Sequence, residues 1–322
     1  MARTLKVAAA QLGPVHLTST RQETLTRMIK LLKAAAVMGA QLVLFPEVAF
    51  VTFFPRHLIS SQEELDAYFE HNDDLPNSPQ TALLFTCAKE EGKVISKYRK
   101  VHLPGTVEPF DKPDAVNQLE KRYFTPGDLG FKAFRVPDLV EGTLKKDATP
   151  EQRGERNGEG KGDPIMGMII CNDRRWPESW RSYGLQGVEL LLCGYNTAGF
   201  APDLWGTQMP ISPEQAEEDA VFHHKLVMQA NSYMNSCFSV SAAKAGMEDG
   251  KYDLIGGSCI TDPEGHVVTE AKTKDDEVIF AEIDLSDCRQ GKEKTFDLVR
   301  HRRTEAYSLI HTQTGVVEPE YL

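Results

Sequence analysis

The first fifty residues alternate between strand and helix signals, and this order constrains the fold more than any other feature of the chain. Residues 5–11 form an apolar run typical of a buried strand, and apolar residues recur at helical spacing over residues 20–38. A second apolar run over residues 41–47 carries Pro46 near its end. A helix between two such strands packs on the sheet that they form. We therefore predict an α/β fold.

The same alternation continues along the chain. Further strands are predicted at residues 93–103, 131–136, 166–171, 188–194, 238–243, 254–261, 267–268 and 277–283. Helices are predicted after Ser61, at residues 79–90, from Pro177, and at residues 213–231. Because the composition does not break between two halves, we expect a single domain over residues 1–322.

Composition and charge exclude several classes of function. Of the 322 residues, 41% are hydrophobic and 26% charged, as in soluble globular proteins. The net charge of −11 argues against a nucleic-acid partner, and no apolar run has the length of a membrane span. The six cysteines are scattered and form no C-x-x-C pair, so we expect free thiols and no zinc site. These features predict a cytoplasmic protein that acts on a small molecule.

Residues 141–163 differ from the rest of the chain. Glu, Lys, Arg, Gly and Asp dominate there and almost no apolar residue remains. Such a composition predicts a solvated loop without a packed core. The loop precedes the strand at 166–171, so it can border a site there, but no function is assigned to it.

The stretch from Met166 to Glu178 combines a buried strand with a helix start. The apolar run ends at Cys171, and Pro177 suits the first turn of a helix. A cysteine at this corner points out of the sheet, and the positive end of the following helix favours the thiolate. A buried structural cysteine is the other interpretation of this residue by itself.

Three polar residues follow apolar strand segments at comparable places: Glu47, Lys100 and Cys171. Ligands bind at the carboxyl ends of strands in layered α/β folds. A carboxylate can take the thiol proton, a thiolate can attack a carbonyl carbon, and an ammonium can stabilise the resulting oxyanion. Taken singly, Glu47 and Lys100 are more often surface side chains, and Cys171 is as well explained as a buried structural cysteine. Together they predict acyl transfer through a thioester.

The local motifs around these residues carry a family resemblance. Phe-Pro-Glu47, Lys-Tyr-Arg-Lys100-Val-His-Leu-Pro-Gly and Cys171-Asn-Asp-Arg-Arg-Trp-Pro-Glu resemble the three signatures of the nitrilase superfamily of carbon–nitrogen hydrolases. Within it, the chain is most similar to N-carbamoyl-D-amino acid amidohydrolases. The resemblance covers nearly the whole chain and implies a four-layer α-β-β-α sandwich.

The resemblance also implies roles for individual residues. Glu47 is the expected general base, Lys100 the oxyanion stabiliser, Cys171 the nucleophile and Glu120 the second glutamate, which orients Lys100. The expected substrate-binding residues are Asn172, Arg174, Arg175, Asn196, Thr197, His102 and His224. Arg174 and Arg175 match positions that hold a substrate carboxylate, a task that suits the guanidinium group. No metal or organic cofactor is expected.

The chain departs from the family pattern in two places. Gln118 stands where the carbamoylases usually have histidine. Residues 90–93 join a helix almost directly to the Lys100 segment, whereas the family has a β-hairpin there, so the fold is expected to lack this hairpin. Members of the family are usually homo-oligomers, so a dimer or tetramer is expected, and a C-terminal tail from about residue 300 resembles the family's interface-forming tail.

Three functions remain open from the sequence. The first is hydrolysis of an N-carbamoyl amino acid to the amino acid, ammonia and carbon dioxide. The second is another amidase or nitrilase reaction with the same catalytic groups. The third is a catalytically impaired member of the family, because of the segment that is absent near Glu91 and Gly92.

Overall fold

The computed structural model describes residues 3–70, 75–88, 94–137, 139–140, 162–205 and 211–321. The strands are β1 Thr4–Gln11, β2 Leu42–Leu44, β3 Phe134–Arg135, β4 Ile165–Ile170, β5 Leu190–Tyr195, β6 Phe238–Ala243, β7 Ala245–Glu248, β8 Tyr252–Ile255, β9 Cys259–Thr261, β10 Val267–Glu270 and β11 Glu277–Asp284. The helices are α1 Arg21–Val37, α2 Gln62–Asp66, α3 Ala82–Ala88, α4 Glu120–Tyr123, α5 Pro177–Gly184, α6 Pro202–Trp205, α7 Pro213–Asn235, α8 Cys288–Gln290, α9 Leu298–His301 and α10 Ser308–Thr312.

The strands of the described residues form two larger sheets and a hairpin. One sheet has the strand order β11-β1-β2, in which β1 pairs antiparallel with β11 and parallel with β2. The other has the order β10-β9-β6-β5-β4-β3, with β4, β5 and β6 parallel. Strands β7 and β8 pair as a separate antiparallel hairpin. The parallel centre brings the carboxyl ends of β4 and β5 to the same edge.

Helix α1 begins at a capping box that the sequence encodes directly. The Thr20 side chain accepts a hydrogen bond from the main chain of Glu23, and the Glu23 side chain accepts one from the main chain of Thr20. Leu25, Met28 and Leu31 are buried on one face of the helix at helical spacing. The helix therefore starts where the sequence predicts and packs one side on the sheet.

Alternating residues of the strands divide the core into clusters. Leu5, Val7 and Ala9 of β1 pack in one cluster with side chains of β5, β6 and β11, between the two larger sheets. The opposite face of β1 and its continuation pack against α1. Odd-numbered residues of β5, Leu191 among them, pack in a third cluster with residues of α5 and α7. This packing is a mixed α/β arrangement. The four-layer α-β-β-α order that the family resemblance implies stays a prediction.

The prediction of a strand at residues 93–103 is wrong, because the described residues of this segment, 94–103, are irregular. A strand requires a neighbour with which to exchange main-chain hydrogen bonds. The nearby strand β2 spans just three residues at the end of its sheet. Val94 and Ile95 are about half exposed, so apolar side chains that the sequence assigns to a strand lie uncovered at the surface.

The strand predicted at residues 254–261 is interrupted. Gly256 and Gly257 have φ of 59° and 75°, in the left-handed region that glycine tolerates, and they separate β8 from β9. Strands predicted at 41–47 and 131–136 shorten to β2 and β3, whereas α7 continues past the predicted end at residue 231.

Two predictions concern residues outside the described part of the chain. The prediction that a hairpin is absent near Glu91 and Gly92 concerns residues 89–93, which lie outside the described residues. The charged loop predicted at 141–163 is described only at residues 162 and 163. Among the described residues, the helices are all too short or too polar to cross a lipid bilayer.

Candidate active site

Cys171 lies at the corner between β4 and a short 3-10 helix, Cys171–Arg175. Its φ of 48° is in the left-handed region, which costs a residue with a side chain roughly 1–2 kcal/mol. The side chain is 4% exposed, and its Sγ donates to the main-chain oxygen of Asn196 at 3.3 Å. The corner therefore holds the thiol at the carboxyl edge of the sheet, beside the end of β5.

Lys100 lies between two carboxylates. Its Nζ donates to Glu47 Oε1 at 2.7 Å and to Glu120 Oε2 at 2.6 Å. The Nε2 of Gln118 donates to the other oxygen of Glu120 at 2.6 Å. All three members of the ion-pair cluster are more than nine-tenths buried at their side chains. The structure thus brings together Glu47, Lys100 and Glu120 from three separate segments.

The charges around the thiol decide its resting state. Burial and the negative charge of Glu47 raise the pKa of Cys171, and the positive charges of Lys100 and Arg174 only partly oppose this rise. Burial also raises the pKa of Glu120 to about 7, against the stabilising effect of Lys100. Burial lowers the pKa of Lys100, but the charges that Cys171, Glu47 and Glu120 carry when ionised outweigh it and hold that pKa above its ordinary value.

These directions correct the expectation that the corner favours a thiolate. Burial of the sulfur and the carboxylates of Glu47 and Glu120 disfavour a resting negative charge on Cys171, so the thiol needs a nearby acceptor for its proton. Among the described residues, the buried Oε2 of Glu47 has no hydrogen-bond partner, so it can accept a proton. The thiol of Cys171 is therefore expected to be neutral at rest, with an acceptor for its proton close by.

The turn that carries Glu47 is held against the end of β5. Asn196 Nδ2 donates to the main-chain oxygen of Glu47 at 2.9 Å, and Val48 adopts a left-handed φ of 50°. At Gly194, an added Cβ would lie 2.8 Å from the Glu47 nitrogen and 3.1 Å from the Phe45 oxygen. Only a residue without a side chain permits this approach of two main chains.

Replacing Gly194 with alanine is therefore expected to displace the Glu47 turn. Because the contacting atoms belong to the main chain, the turn must move, and we expect kcat to fall roughly 10²-fold. Gly315, whose added Cβ would meet no atom within 4 Å, provides the control substitution Gly315→Ala. Circular dichroism checks the fold, and an unchanged kcat in folded Gly194→Ala would contradict the assignment.

Arg174 and Arg175 occupy different environments. Arg174 is 1% exposed, and its guanidinium lies over the Tyr195 ring. Its Nη1 donates to the main-chain oxygen of Cys171 at 2.8 Å, and its Nη2 donates to Thr197 Oγ1 at 3.0 Å. Arg175 is partly exposed, and its Nη1 lies 3.5 Å from Asn172 Oδ1. Arg174 therefore braces the Cys171 turn, whereas Arg175 lines an open groove beside that turn.

A groove of about 850 Å³ opens beside the nucleophile turn. Its walls include Leu103, Asn172, Arg175, Trp176, Thr197 and His223. Among the residues expected to bind substrate, Asn172, Arg175 and Thr197 therefore line this groove. His102 lies next to it, stacked on the Trp176 ring at 4.8 Å between ring centroids.

His224 lies behind the site. Its ring stacks on Tyr195 at 4.2 Å, and its Nε2 lies 3.3 Å from Ser241 Oγ. Burial and the positive charge of Arg174 hold its pKa well below the ordinary value, so the ring is neutral. The histidine that lines the groove is instead its neighbour His223.

Sequence reasoning missed one buried carboxylate. Asp173 is fully buried and accepts hydrogen bonds from Tyr98 and His102, on either side of Lys100. It lies two residues after Cys171, in the middle of the recognised motif, but nothing in its local sequence shows which distant donors it meets. Within the described ranges, no group of three or more His, Cys, Asp and Glu side chains is arranged to hold a metal ion.

Comparison with known proteins identifies the family. The family model described as carbon-nitrogen hydrolase matches residues 6–293. The chain belongs to the carbon-nitrogen hydrolase family. It is thus a hydrolase of carbon–nitrogen bonds other than peptide bonds, within the nitrilase superfamily, as the sequence motifs predict.

Curated relatives and solved structures match over almost the full length of this carbon-nitrogen hydrolase. An N-carbamoylputrescine amidase from Oryza sativa subsp. japonica is 26% identical and aligns with 97% of this chain and 96% of its own. A citrullinase from Francisella tularensis subsp. tularensis is 24% identical, with 95% and 98% aligned. A carbon-nitrogen hydrolase structure from Helicobacter pylori G27 superposes with a TM-score of 0.71 at 20% identity, covering 96% of this chain and 99% of that one. The last likeness shows the shared α/β fold.

Proposed function

We propose that this carbon-nitrogen hydrolase converts N-carbamoyl amino acids to amino acids, ammonia and carbon dioxide. The observation that carries the proposal is the position of Arg175, a cation on the wall of the groove beside the nucleophile turn. Burial and the nearby charge of Arg174 lower the pKa of Arg175 to about 10. An anionic group bound next to it would offset both effects, and a substrate carboxylate is such a group.

The first half of the reaction forms a carbamoyl thioester. The Cys171 sulfur attacks the carbon of the terminal ureido group while Glu47 takes the thiol proton. The ammonium of Lys100 stabilises the negative charge that develops on the oxygen. Glu47 then gives the proton to the departing nitrogen, the carbon–nitrogen bond breaks, and ammonia leaves.

The second half uses water. Glu47 takes a proton from a water molecule, whose oxygen attacks the thioester carbon. The carbon–sulfur bond then breaks, and Glu47 gives that proton to the departing sulfur, which regenerates the thiol. The released N-carboxy amino acid decomposes to carbon dioxide and the free amino acid. Glu120, hydrogen-bonded to Lys100 and Gln118, keeps the lysine aimed at the reacting oxygen.

A substrate panel tests the proposal. The protein is incubated with an N-carbamoyl amino acid, the matching N-carbamoyl amine without carboxylate, a simple aliphatic amide and a nitrile, and ammonia is measured. We expect release from the N-carbamoyl amino acid and none from the Cys171→Ala variant. Release from the amide or nitrile alone would favour the alternative, another amidase or nitrilase activity, and no release at all would favour an impaired member of the family.

Replacing Arg175 with methionine separates binding from chemistry. If the guanidinium holds the substrate carboxylate equally in the ground and transition states, KM rises about 10-fold or more while kcat changes little. Turnover of any N-carbamoyl amine should not change. Arg289→Met is the control, because Arg289 pairs with Glu293 on the exposed surface. A KM that stays the same in Arg175→Met would remove the basis for a carboxylate substrate.

A further inference from the structure

The segment that carries Lys100 is not held by a sheet. Residues 94–103 are irregular, so the ladder of hydrogen bonds that would fix a strand is absent from this described stretch. One main-chain bond is present at the lysine itself, where Gly127 N donates to the Lys100 oxygen at 2.7 Å. Besides its own ion pairs with Glu47 and Glu120, the position of the Lys100 ammonium therefore depends on side-chain contacts of its neighbours.

Those contacts converge on one carboxylate. Tyr98 OH donates to Asp173 Oδ2 at 2.7 Å, and the main-chain nitrogen of His102 donates to Asp173 Oδ1 at 2.8 Å. The Nδ1 of His102 lies 2.7 Å from the same Oδ1. Tyr98 and His102 stand two residues before and two residues after Lys100, so both flanks of the lysine are tied to Asp173.

The same carboxylate also belongs to the nucleophile turn. Asp173 follows Cys171 by two residues, and its Oδ2 accepts from Ile170 N at 3.2 Å. Asp173 is 0% exposed, so its charge is shielded from water, and hydrogen bonds to a buried carboxylate are the strong kind. Breaking them leaves buried donors unpaired, which resists any movement of the segment.

We propose that Asp173 is a positioning residue that sets the place of the Lys100 ammonium relative to the Cys171 thiol. It performs the task that strand pairing would otherwise perform, by joining the lysine segment directly to the turn that carries the nucleophile. The inference rests on the proposed function for the roles of Lys100 and Cys171. It adds that the proton affinity of the thiol depends on a residue that touches neither the substrate nor the sulfur.

Thiol alkylation tests this without a substrate. Iodoacetamide labelling of the peptide that contains Cys171 is followed by mass spectrometry across pH, which separates it from the exposed Cys87. In Asp173→Asn, the amide can accept at one oxygen only, so one flank of Lys100 is released and its ammonium moves away from the thiol. We expect the midpoint of the pH profile to rise by about one unit and kcat to fall roughly 10²-fold, with KM within about 3-fold.

A milder variant covers the case in which Asp173→Asn does not fold. Tyr98→Phe removes one donor and should shift the alkylation midpoint in the same direction by about half a unit. Tyr183→Phe is its matched control. The Tyr183 hydroxyl donates to the main-chain oxygen of Met168 on β4, the strand that precedes Cys171, rather than to Asp173. Its midpoint should equal that of the parent protein.

The outcomes separate the two proposals. Unshifted midpoints in Tyr98→Phe and in folded Asp173→Asn would overturn the positioning role, even where thermal stability is reduced. Shifted midpoints in a protein that releases no ammonia from the substrate panel would support the positioning role and count against the proposed function alone.

Discussion

Replacing Lys100 with methionine is expected to abolish ammonia release and to destabilise the protein. The ammonium is the common partner of Glu47 and Glu120, at 2.7 and 2.6 Å, and without it two buried carboxyl groups face each other. One of them is then favoured to take a proton, which alters the charge next to the thiol. Loss of the oxyanion stabiliser adds to this, so kcat should fall by roughly 10³-fold or more.

The cost in stability has a separate origin. Removing one partner of a buried ion pair leaves an uncompensated charge, which costs roughly 3–5 kcal/mol. The double variant Lys100→Met with Glu120→Gln removes the second charge as well, so it should recover much of the free energy of unfolding while remaining inactive. Urea unfolding and ammonia release measured on the same samples distinguish the two effects.

A lysine on the surface provides the matched control. Lys6 pairs with Glu282 at 3.9 Å, and both side chains are about half exposed. Exposed pairs of this kind contribute roughly 0–1 kcal/mol, so Lys6→Met should change neither stability nor turnover measurably. Substantial ammonia release by Lys100→Met would mean that the lysine is not the oxyanion stabiliser.

Local signals in the sequence were sufficient to predict the helix and strand elements on which the site is built. The Thr20 cap and the buried positions that follow it belong to one helix, so a short stretch of sequence predicts them. The apolar run before Cys171 ends at the corner where β4 ends. The sequence predicted that Glu47, Lys100 and Cys171 meet because strand ends converge at one edge, but the Lys100 segment is irregular, so this reason does not hold for Lys100. The residue types alone suggested acyl transfer, and the roles of individual residues came from the family resemblance.

Contacts between distant segments were not predictable in the same way. The segment at 94–103 has the alternating pattern of a strand. A strand forms only where another strand pairs with it, and the local sequence does not show which segment that would be. Asp173 and Gly194 act through groups more than seventy residues away in the chain, as the Tyr98 and Glu47 contacts show. The direction of the Cys171 pKa likewise follows from burial and from Glu47, which outweigh the positive charges of Lys100 and Arg174.

The second large effect is expected at alkaline pH. Five of the cysteines, Cys171, Cys193, Cys237, Cys259 and Cys288, are buried as free thiols. Burial raises the pKa of each of them, that of Cys237 to about 11. In the unfolded chain a cysteine thiol loses its proton near pH 8.5. Above that pH the folded state therefore binds more protons than the unfolded state.

The sign of the effect follows from this difference. When the folded state holds the extra protons, the free energy of unfolding falls as pH rises, by roughly 1.4 kcal/mol per thiol for each pH unit. Lys244 has the opposite effect on the free energy of unfolding. Because burial lowers its pKa to about 8, its contribution to that free energy rises as the pH increases from about 8 to its ordinary pKa. Arg175, with its pKa lowered to about 10, acts in the same direction as Lys244, and these two cations offset only part of the effect of five thiols, so a net loss of stability is expected above about pH 9.

Urea midpoints at pH 7, 9 and 10, measured with a non-thiol reductant, provide the check. Cys193→Ala removes one buried thiol and should reduce the slope of unfolding free energy against pH by roughly 1.4 kcal/mol per unit. Cys87→Ala removes the exposed thiol and should leave the slope unchanged. A flat profile up to pH 10 would mean that the buried thiols ionise in the folded protein, and the neutral resting state assigned to Cys171 would then lose its physical basis.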